Sequence, residues 1–350
     1  MLGVSTQGLL YRYAVRRATF DRIRLRCTRG RVQMVRRGVA MTMSPIVFSI
    51  PEYDGLRDAL VAGLDAQCGY VERDVFPDGE RYQRLGVPVQ GRDVVIVGGT
   101  HSDRATLTLF DLACATAKLG ARRLTLIVPY FGYSTMERAV RAGEVVTAKT
   151  RARLLSAIPS ASYGNCVLML DLHSEGIPHY FESGVTAIHV YGKEALIPVM
   201  QSLGGDDFVL GSTDSGRAKW VESLANEMEV DVALILKRRL SGTETRVTAL
   251  NAEVTGRNVV IYDDMIRSGG SLLGAAQTYK DAGAARIFAV CTHGVFTPGA
   301  YERLRDSGLF ETIVATDSHP NAIAHAADGL QLVPTAPLFM EELRRFSSPG

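Results

Sequence analysis

Val259-Val260-Ile261-Tyr262-Asp263-Asp264-Met265-Ile266-Arg267-Ser268-Gly269-Gly270-Ser271 reads as a strand that ends in two carboxylates and runs into a glycine-rich turn opening a helix. A short β-branched apolar run of this kind suits a strand buried on both faces, as in a parallel sheet covered by helices. The Ser-Gly-Gly-Ser turn lets the backbone approach an anion closely, and the exposed N–H groups and helix dipole favour its charge. Ser268 and Ser271 add hydroxyl donors. Asp263 and Asp264 can accept hydrogen bonds from vicinal sugar hydroxyls or hold a hydrated magnesium ion. Taken alone, the segment is either a site for a phosphorylated ribose or a tight βα turn with an acidic N-cap.

The same strand-then-helix pattern extends outward in both directions. Residues 94–98, 124–129, 167–172, 208–211, 232–236 and 287–291 are short apolar runs, and residues 104–119, 148–158, 218–228 and 272–282 have helical spacing. Lys118-Leu119-Gly120-Ala121-Arg122-Arg123 precedes one strand, and Lys280-Asp281-Ala282-Gly283-Ala284-Ala285-Arg286 precedes another. In each, a glycine closes a helix and a strand follows at once. The shared punctuation predicts two related α/β domains meeting near residues 190–205, around Gly204-Gly205-Asp206-Asp207.

A chain of 350 residues has room for two ordinary domains. Its net charge of +2 hides an asymmetry, because residues 1–40 hold ten Arg and one Asp. The remainder is mildly acidic, which argues against nucleic acid as the main partner. Five scattered cysteines, with no CxxC pair, suit a reducing compartment and give no sign of a zinc site. No apolar run approaches the roughly 18–20 residues of a membrane span, so no membrane partner is expected. The Arg-rich start around Tyr11-Arg12-Tyr13-Ala14-Val15-Arg16-Arg17 has the composition of an organellar transit peptide. The preferred reading is a disordered tail, or a start assigned ahead of Met41 or Met43. A cytoplasmic location is expected, with an organellar one as the alternative if residues 1–43 target the chain.

Three further segments carry chemistry. Lys237-Arg238-Arg239 stands just past a strand, where a mobile point charge and a planar fork can reach a polyphosphate; the alternative is a solvated basic turn. His173 follows a strand end that includes Asp171, where it reads by itself as a satisfied histidine, and Asp214, in Ser212-Thr213-Asp214-Ser215-Gly216, reads by itself as an ordinary helix N-cap. Phe76, Asp78 and Glu80, around Pro77 and Gly79, offer a stacking face and two acceptors, or simply a β-turn.

The loop at residues 259–271 resembles the 5-phosphoribosyl diphosphate loop of the type I phosphoribosyltransferase fold. Collinear segments narrow the likeness to the ribose-phosphate diphosphokinase (phosphoribosyl-pyrophosphate synthetase) family. They are Phe76-Pro77-Asp78-Gly79-Glu80, Pro129-Tyr130-Phe131-Gly132-Tyr133, Thr147-Ala148-Lys149, Met169-Leu170-Asp171-Leu172-His173, Lys237-Arg238-Arg239, Thr292-His293-Gly294-Val295-Phe296 and Ala315-Thr316-Asp317. The resemblance spans about residues 45–345. It implies two similar phosphoribosyltransferase-like α/β domains, each a mostly parallel sheet flanked by helices. The expected division is a basic, disordered extension at 1–43, domains at 44–195 and 196–330, and a C-terminal helix and tail at 331–350 that packs back on the first domain.

The resemblance also implies roles for particular residues. Lys237 and Arg239 are expected to be catalytic. Phe76, Asp78, Gly79, Glu80, Thr135 and Met136 are expected at ATP. Arg239, Asp263, Asp264, Arg267, Ser268, Gly269, Gly270 and Ser271 are expected at ribose 5-phosphate, and His173 and Asp214 at Mg2+. The implied reaction moves a diphosphoryl group from ATP to ribose 5-phosphate, in a homo-oligomer, commonly a hexamer, whose nucleotide sites are shared between subunits. Three places depart from the pattern. Ser134-Thr135-Met136-Glu137 replaces Ala-Arg-Gln-Asp, Arg267 replaces an Asp, and Arg217 and Trp220 replace a Gly and an Arg. Two alternatives follow: a catalytically weak regulatory homologue of such a synthetase, or a phosphoribosyltransferase.

Overall fold

The structure, a computed structural model, describes the backbone of residues 27–28, 31–32, 44–213, 218–239, 245–250 and 252–347, and side chains within 44–213, 218–235 and 252–345. In the N-terminal extension, β1 (Cys27–Thr28) pairs antiparallel with β2 (Arg31–Val32).

From residue 44 the chain winds through two six-stranded parallel sheets in succession. The first uses β3 (Ile46–Ser49), α1 (Asp54–Leu64) and β4 (Gln67–Cys68), then a hairpin of β5 (Val71–Val75) and β6 (Arg81–Leu85). It continues with β7 (Asp93–Val97), α2 (Asp103–Lys118), β8 (Arg123–Val128), α3 (Thr147–Ser156), β9 (Asn165–Leu170) and β10 (Thr186–Val190). The second uses α4 (Lys193–Gly204), β11 (Phe208–Ser212), α5 (Ala218–Met228) and β12 (Asp231–Ala233), then a hairpin of β13 (Ile235–Arg239) and β14 (Thr245–Leu250). After it come β15 (Asn258–Ile266), α6 (Gly270–Asp281), β16 (Arg286–Gly294), α7 (Ala300–Asp306), β17 (Thr312–Thr316), α8 (Pro320–His325), β18 (Gln331–Val333) and α9 (Ala336–Ser347).

The strand orders are β4-β3-β7-β8-β9-β10 and β12-β11-β15-β16-β17-β18. Position by position they are the same order, and in both an antiparallel hairpin leaves the sheet between the second and third strands. The two halves therefore share one topology, as the repeated helix–glycine–strand punctuation predicted. The run at 232–236 is not one strand. The chain leaves the sheet after Ala233, and Ile235 opens the hairpin. β15 and β16 both run three residues beyond the apolar stretches that announced them, to Ile266 and Gly294.

Period-2 alternation along β15 feeds two cores. Val259 and Ile261 pack with Leu272, Ala275, Tyr279, Tyr301 and Leu304 under α6 and α7. Val260 and Tyr262 pack with Leu196, Met200, Val221 and Leu224 under α4 and α5. Both faces of the sheet are covered, which explains why its strands read as continuous apolar runs. The last helix joins the core of the first sheet through Leu338, Phe339 and Leu343, and Arg344 donates to the Gly63 carbonyl at the end of α1 (3.1 Å).

The halves meet along a seam of rings and hydrogen bonds. The Tyr53 hydroxyl donates to the Ser318 carbonyl (3.0 Å). The Tyr130 ring stands edge-on to both His293 (5.1 Å) and His319 (4.8 Å), and His101 stands edge-on to His319 (5.7 Å). No described helix is long and apolar enough to cross a membrane.

Candidate active site between the two halves

β15 carries its carboxylates to the C-terminal edge of the second sheet, where ligands of open parallel sheets bind. Asp263 accepts from the Thr213 hydroxyl (3.0 Å). Asp264 is buried, and its Oδ2 lies 2.8 Å from Nδ1 of His173, at the edge of the first sheet. A carboxylate on one imidazole nitrogen fixes the tautomer and orientation of the ring, the usual support for a histidine beside a cation.

Past the carboxylates the backbone is pinned from outside. The Phe296 amide donates to the Ile266 carbonyl (2.9 Å), the Thr297 amide to the Arg267 carbonyl (3.0 Å), and Arg303 on α7 to the Ser268 carbonyl (3.1 Å). Gly269 is left-handed (φ 77°), and a Cβ there would sit 3.0 Å from Leu304, so glycine is required on two counts. α6 starts at Gly270 with no side chain capping it. Its first amides thus face the loop without a side-chain acceptor, as an anion site needs.

A small cavity opens at the His173–Asp264 pair, lined also by Asp171, Leu172, Glu175, His189, Trp220 and Tyr262. Its volume of about 40 Å³ holds roughly three waters. Behind it runs a relay of buried donors. Trp220 donates to the Tyr262 hydroxyl, which lies 3.1 Å from Oγ1 of Thr292. Thr292 donates in turn to Asp171, whose other oxygen accepts from the Gly192 amide (2.8 Å). Burial, with the Asp171 charge adding to it, raises the Tyr262 hydroxyl well above its ordinary value and keeps it a neutral donor. Trp220 also stacks on Tyr191 (5.7 Å), and Tyr191 on His189 (4.2 Å).

Strained backbone gathers around the same cleft. Asp171 (φ 35°), Tyr133 (φ 61°) and Phe296 (φ 33°) are non-glycine residues in the left-handed region, a conformation that persists where surrounding contacts over-determine it. Gly132, before Tyr133, has its amide on the Thr100 hydroxyl (2.7 Å), and a Cβ there would meet the Thr100 carbonyl at 2.1 Å. The turn following β8 is thus a fixed corner. It presents Thr135, whose hydroxyl accepts from Arg267 (2.8 Å).

Of the residues picked out from sequence, His173, Asp263, Asp264, Thr135 and Arg267 come together across the cleft. Ser268, Gly269, Gly270 and Ser271 form the turn into α6. Met136 is exposed at the end of the Tyr133 turn. Phe76, Asp78, Gly79 and Glu80 form the tip of the β5–β6 hairpin and do not line the cavity. There Asp78 accepts from the Glu80 amide (3.0 Å), and the half-exposed Phe76 stands edge-on to Tyr82. Lys237 and Arg239 lie two residues apart on β13, opposite Val247 and Thr245; their side chains, and Asp214 and Arg217 entirely, fall outside the described residues. Among the described residues no cluster of three or more His, Cys, Asp or Glu is set to hold a metal. Magnesium keeps most of its waters and needs few protein ligands, so an oriented His173 fits a sparse, water-rich site. Tyr191 and Arg303 were not singled out from sequence, and Thr292 and Asp171 stood there only as members of matched segments, not as a donor and its acceptor; that pair is 121 residues apart, and no local pattern announces it.

Comparisons with known proteins agree with this architecture. Residues 46–158 match the model for the N-terminal domain of ribose phosphate pyrophosphokinase, and residues 211–348 match that for the phosphoribosyl synthetase-associated domain. A ribose-phosphate pyrophosphokinase of Parasynechococcus marenigrum is 32% identical over 302 residues, covering 85% of this chain and 89% of the relative. One from Methanopyrus kandleri is 35% identical over 279 residues, covering 79% and 93%. The crystal structure of phosphoribosylpyrophosphate synthetase from Mycobacterium smegmatis superposes with a TM-score of 0.76 at 24% identity, covering 87% of this chain and 98% of that one, which establishes the shared fold. Two α/β halves of one topology, matched by the models for the two domains of a ribose-phosphate pyrophosphokinase, define the class. Within it, the chain belongs to the ribose-phosphate pyrophosphokinase family.

Proposed function

We propose that this chain transfers the β,γ-diphosphoryl group of ATP to the 1-hydroxyl of ribose 5-phosphate, giving 5-phosphoribosyl 1-diphosphate and AMP. The observation that carries the reading is the pinned loop after β15. Following the two carboxylates of β15, which suit sugar hydroxyls, it offers an uncapped helix start for the 5-phosphate, on a chain that belongs to the family. In the reaction, the anomeric oxygen attacks the β-phosphorus. The bond from that phosphorus to the α,β-bridging oxygen breaks, AMP leaves with the bridging oxygen, and the hydroxyl proton passes to solvent or a nearby base.

Ser268 through Ser271 hold the 5-phosphate, and Asp263 and Asp264 the ribose hydroxyls. Lys237 and Arg239 neutralise charge on the moving diphosphoryl oxygens, since such transfers depend chiefly on positioning and electrostatic stabilisation. Asp264 keeps His173 oriented, and His173 with Asp214 would hold Mg2+. When bound, Mg2+ supplies the positive charge that offsets the triphosphate. Phe76, Asp78 and Glu80 sit on a projecting hairpin tip, which supports their serving a nucleotide site on a second copy in a homo-oligomer; sedimentation of the purified chain as a monomer would remove that part. The reducing-type cysteine pattern supports a cytoplasmic location. The reading is tested by incubating purified protein with Mg2+, ATP and ribose 5-phosphate and following 31P resonances. A new diphosphate attached to the sugar, in step with AMP, is expected. Its absence across a panel of nucleoside triphosphates would leave the regulatory or transferase readings instead.

A further inference from the structure

Arg267 lies in the sugar-phosphate loop, yet its guanidinium is not held there. Nη2 donates to the Thr135 hydroxyl on the opposite wall of the cleft (2.8 Å), and the Tyr130 hydroxyl is a second hydrogen-bond partner. Both acceptors are neutral groups of the segment following β8. Among the described residues Arg267 makes no ion pair, although Asp264 and Asp263 are three and four positions away. A guanidinium carries five N–H donors. Held by two neutral acceptors, it keeps its full charge and most of its donors for an anion.

The wall it reaches is short of positive charge at residues 134–137. Residues 134–137 read Ser-Thr-Met-Glu, with one charge and that negative. Arg138 beside them is largely exposed and lies 3.5 Å from Glu137, and Arg151 is committed to Asp103. The 5-phosphate end of the site is already supplied with amides by the Ser268–Ser271 turn and the start of α6. We propose that Arg267 binds the polyphosphate of the nucleotide donor, not the phosphate of the sugar, and so returns across the cleft the positive charge that the Thr135 segment lacks. The inference rests on the diphosphoryl-transfer reading and deepens it.

The test separates the two substrates. In Arg267→Ala, the KM for ATP should rise about tenfold to a hundredfold, the loss of one charge-assisted contact. The KM for ribose 5-phosphate should stay within about threefold, since uniform binding of one substrate is what is removed. Adding Thr135→Arg to that variant should recover much of the ATP affinity, because the cation then comes from the opposite wall. Equilibrium binding gives a readout independent of turnover: Trp220, the sole tryptophan, lines the cavity, and its fluorescence titrates ATP alone and ribose 5-phosphate alone. A rise in KM or Kd for ribose 5-phosphate with ATP unchanged would overturn the proposal, and so would no change in either. If Arg267→Ala fails to fold, Thr135→Val, which removes only the neutral acceptor, should weaken ATP in the same direction; unaltered ATP binding there overturns it. An inactive wild-type chain that still binds ATP through Arg267 would sink the proposed reaction and leave this assignment standing.

Discussion

Asp264 shows how much of the candidate site hangs on one side chain. It is buried and orients His173 from the other half of the molecule. Asp264→Asn keeps the shape and an acceptor but removes the charge. Loss of such a supporting carboxylate typically costs tenfold to a hundredfold. We expect kcat/KM to fall by about that factor with an unchanged circular-dichroism spectrum and a higher magnesium requirement; full activity would show that His173 needs no anionic partner. At this scale the sequence was legible where chemistry is local. Asp263 through Ser271 are contiguous, so their types and spacing could be read directly. The relay from Trp220 through Tyr262 and Thr292 to Asp171 was not legible, because its members come from four separate elements. Trp220 itself was marked only as a departure; the structure gives it a stacking partner and a place in the cavity wall.

Among the elements, buried parallel strands announce themselves and exposed hairpins do not. β7, β8 and β9 are buried almost end to end, and their apolar runs were found within a residue or two. The β5–β6 hairpin, Val-Glu-Arg-Asp-Val against Arg-Tyr-Gln-Arg-Leu, has little apolar surface to hide and passed as a turn. The mirrored placement of β5–β6 and β13–β14 in their halves is a topological fact that no local spacing carries. The turn into α6 was legible because glycine is its only economical solution. Gly269→Ala meets a left-handed backbone and Leu304 at 3.0 Å. It should lower stability by about 1–2 kcal/mol in urea unfolding and weaken ribose 5-phosphate binding more than ATP binding. Equal loss for both substrates would mean that the turn serves the fold and not the sugar phosphate.

At the scale of the whole molecule, the seam between the halves is built on two buried histidines, His293 and His319, with the half-buried His101 beside them. Burial, then the neighbouring His101 and His293, pushes His319 down to about 3; burial also lowers His293 and His101. These bases protonate more readily in the unfolded chain, near pH 6.5. The unfolded state therefore binds more protons as pH falls, and stability is full above about pH 6.5 and is lost below it, down to about pH 3 for His319. His319 alone should account for about 2 kcal/mol between pH 7 and pH 5. His319→Asn keeps an acceptor for the Asn321 amide that His319 now serves, and should flatten the pH dependence of urea unfolding by that amount. Nearby Asp317, raised by burial, is common to both proteins and cancels in the difference. A variant with the wild-type slope would show that the seam does not exclude the proton.

The central claim is that this two-halved scaffold performs diphosphoryl transfer with a basic pair on β13. Coupled release of AMP from ATP, with Mg2+ and ribose 5-phosphate present, tests it most directly when wild type and Lys237→Ala are compared side by side. Ribose 5-phosphate-dependent AMP is expected from the wild type and at least a hundredfold (~3 kcal/mol) less from the variant, with both proteins equally folded. Wild-type protein that releases no AMP would rule out diphosphoryl transfer by this chain, and a Lys237→Ala variant that releases it at the wild-type rate would remove the basic pair on β13 from the reaction.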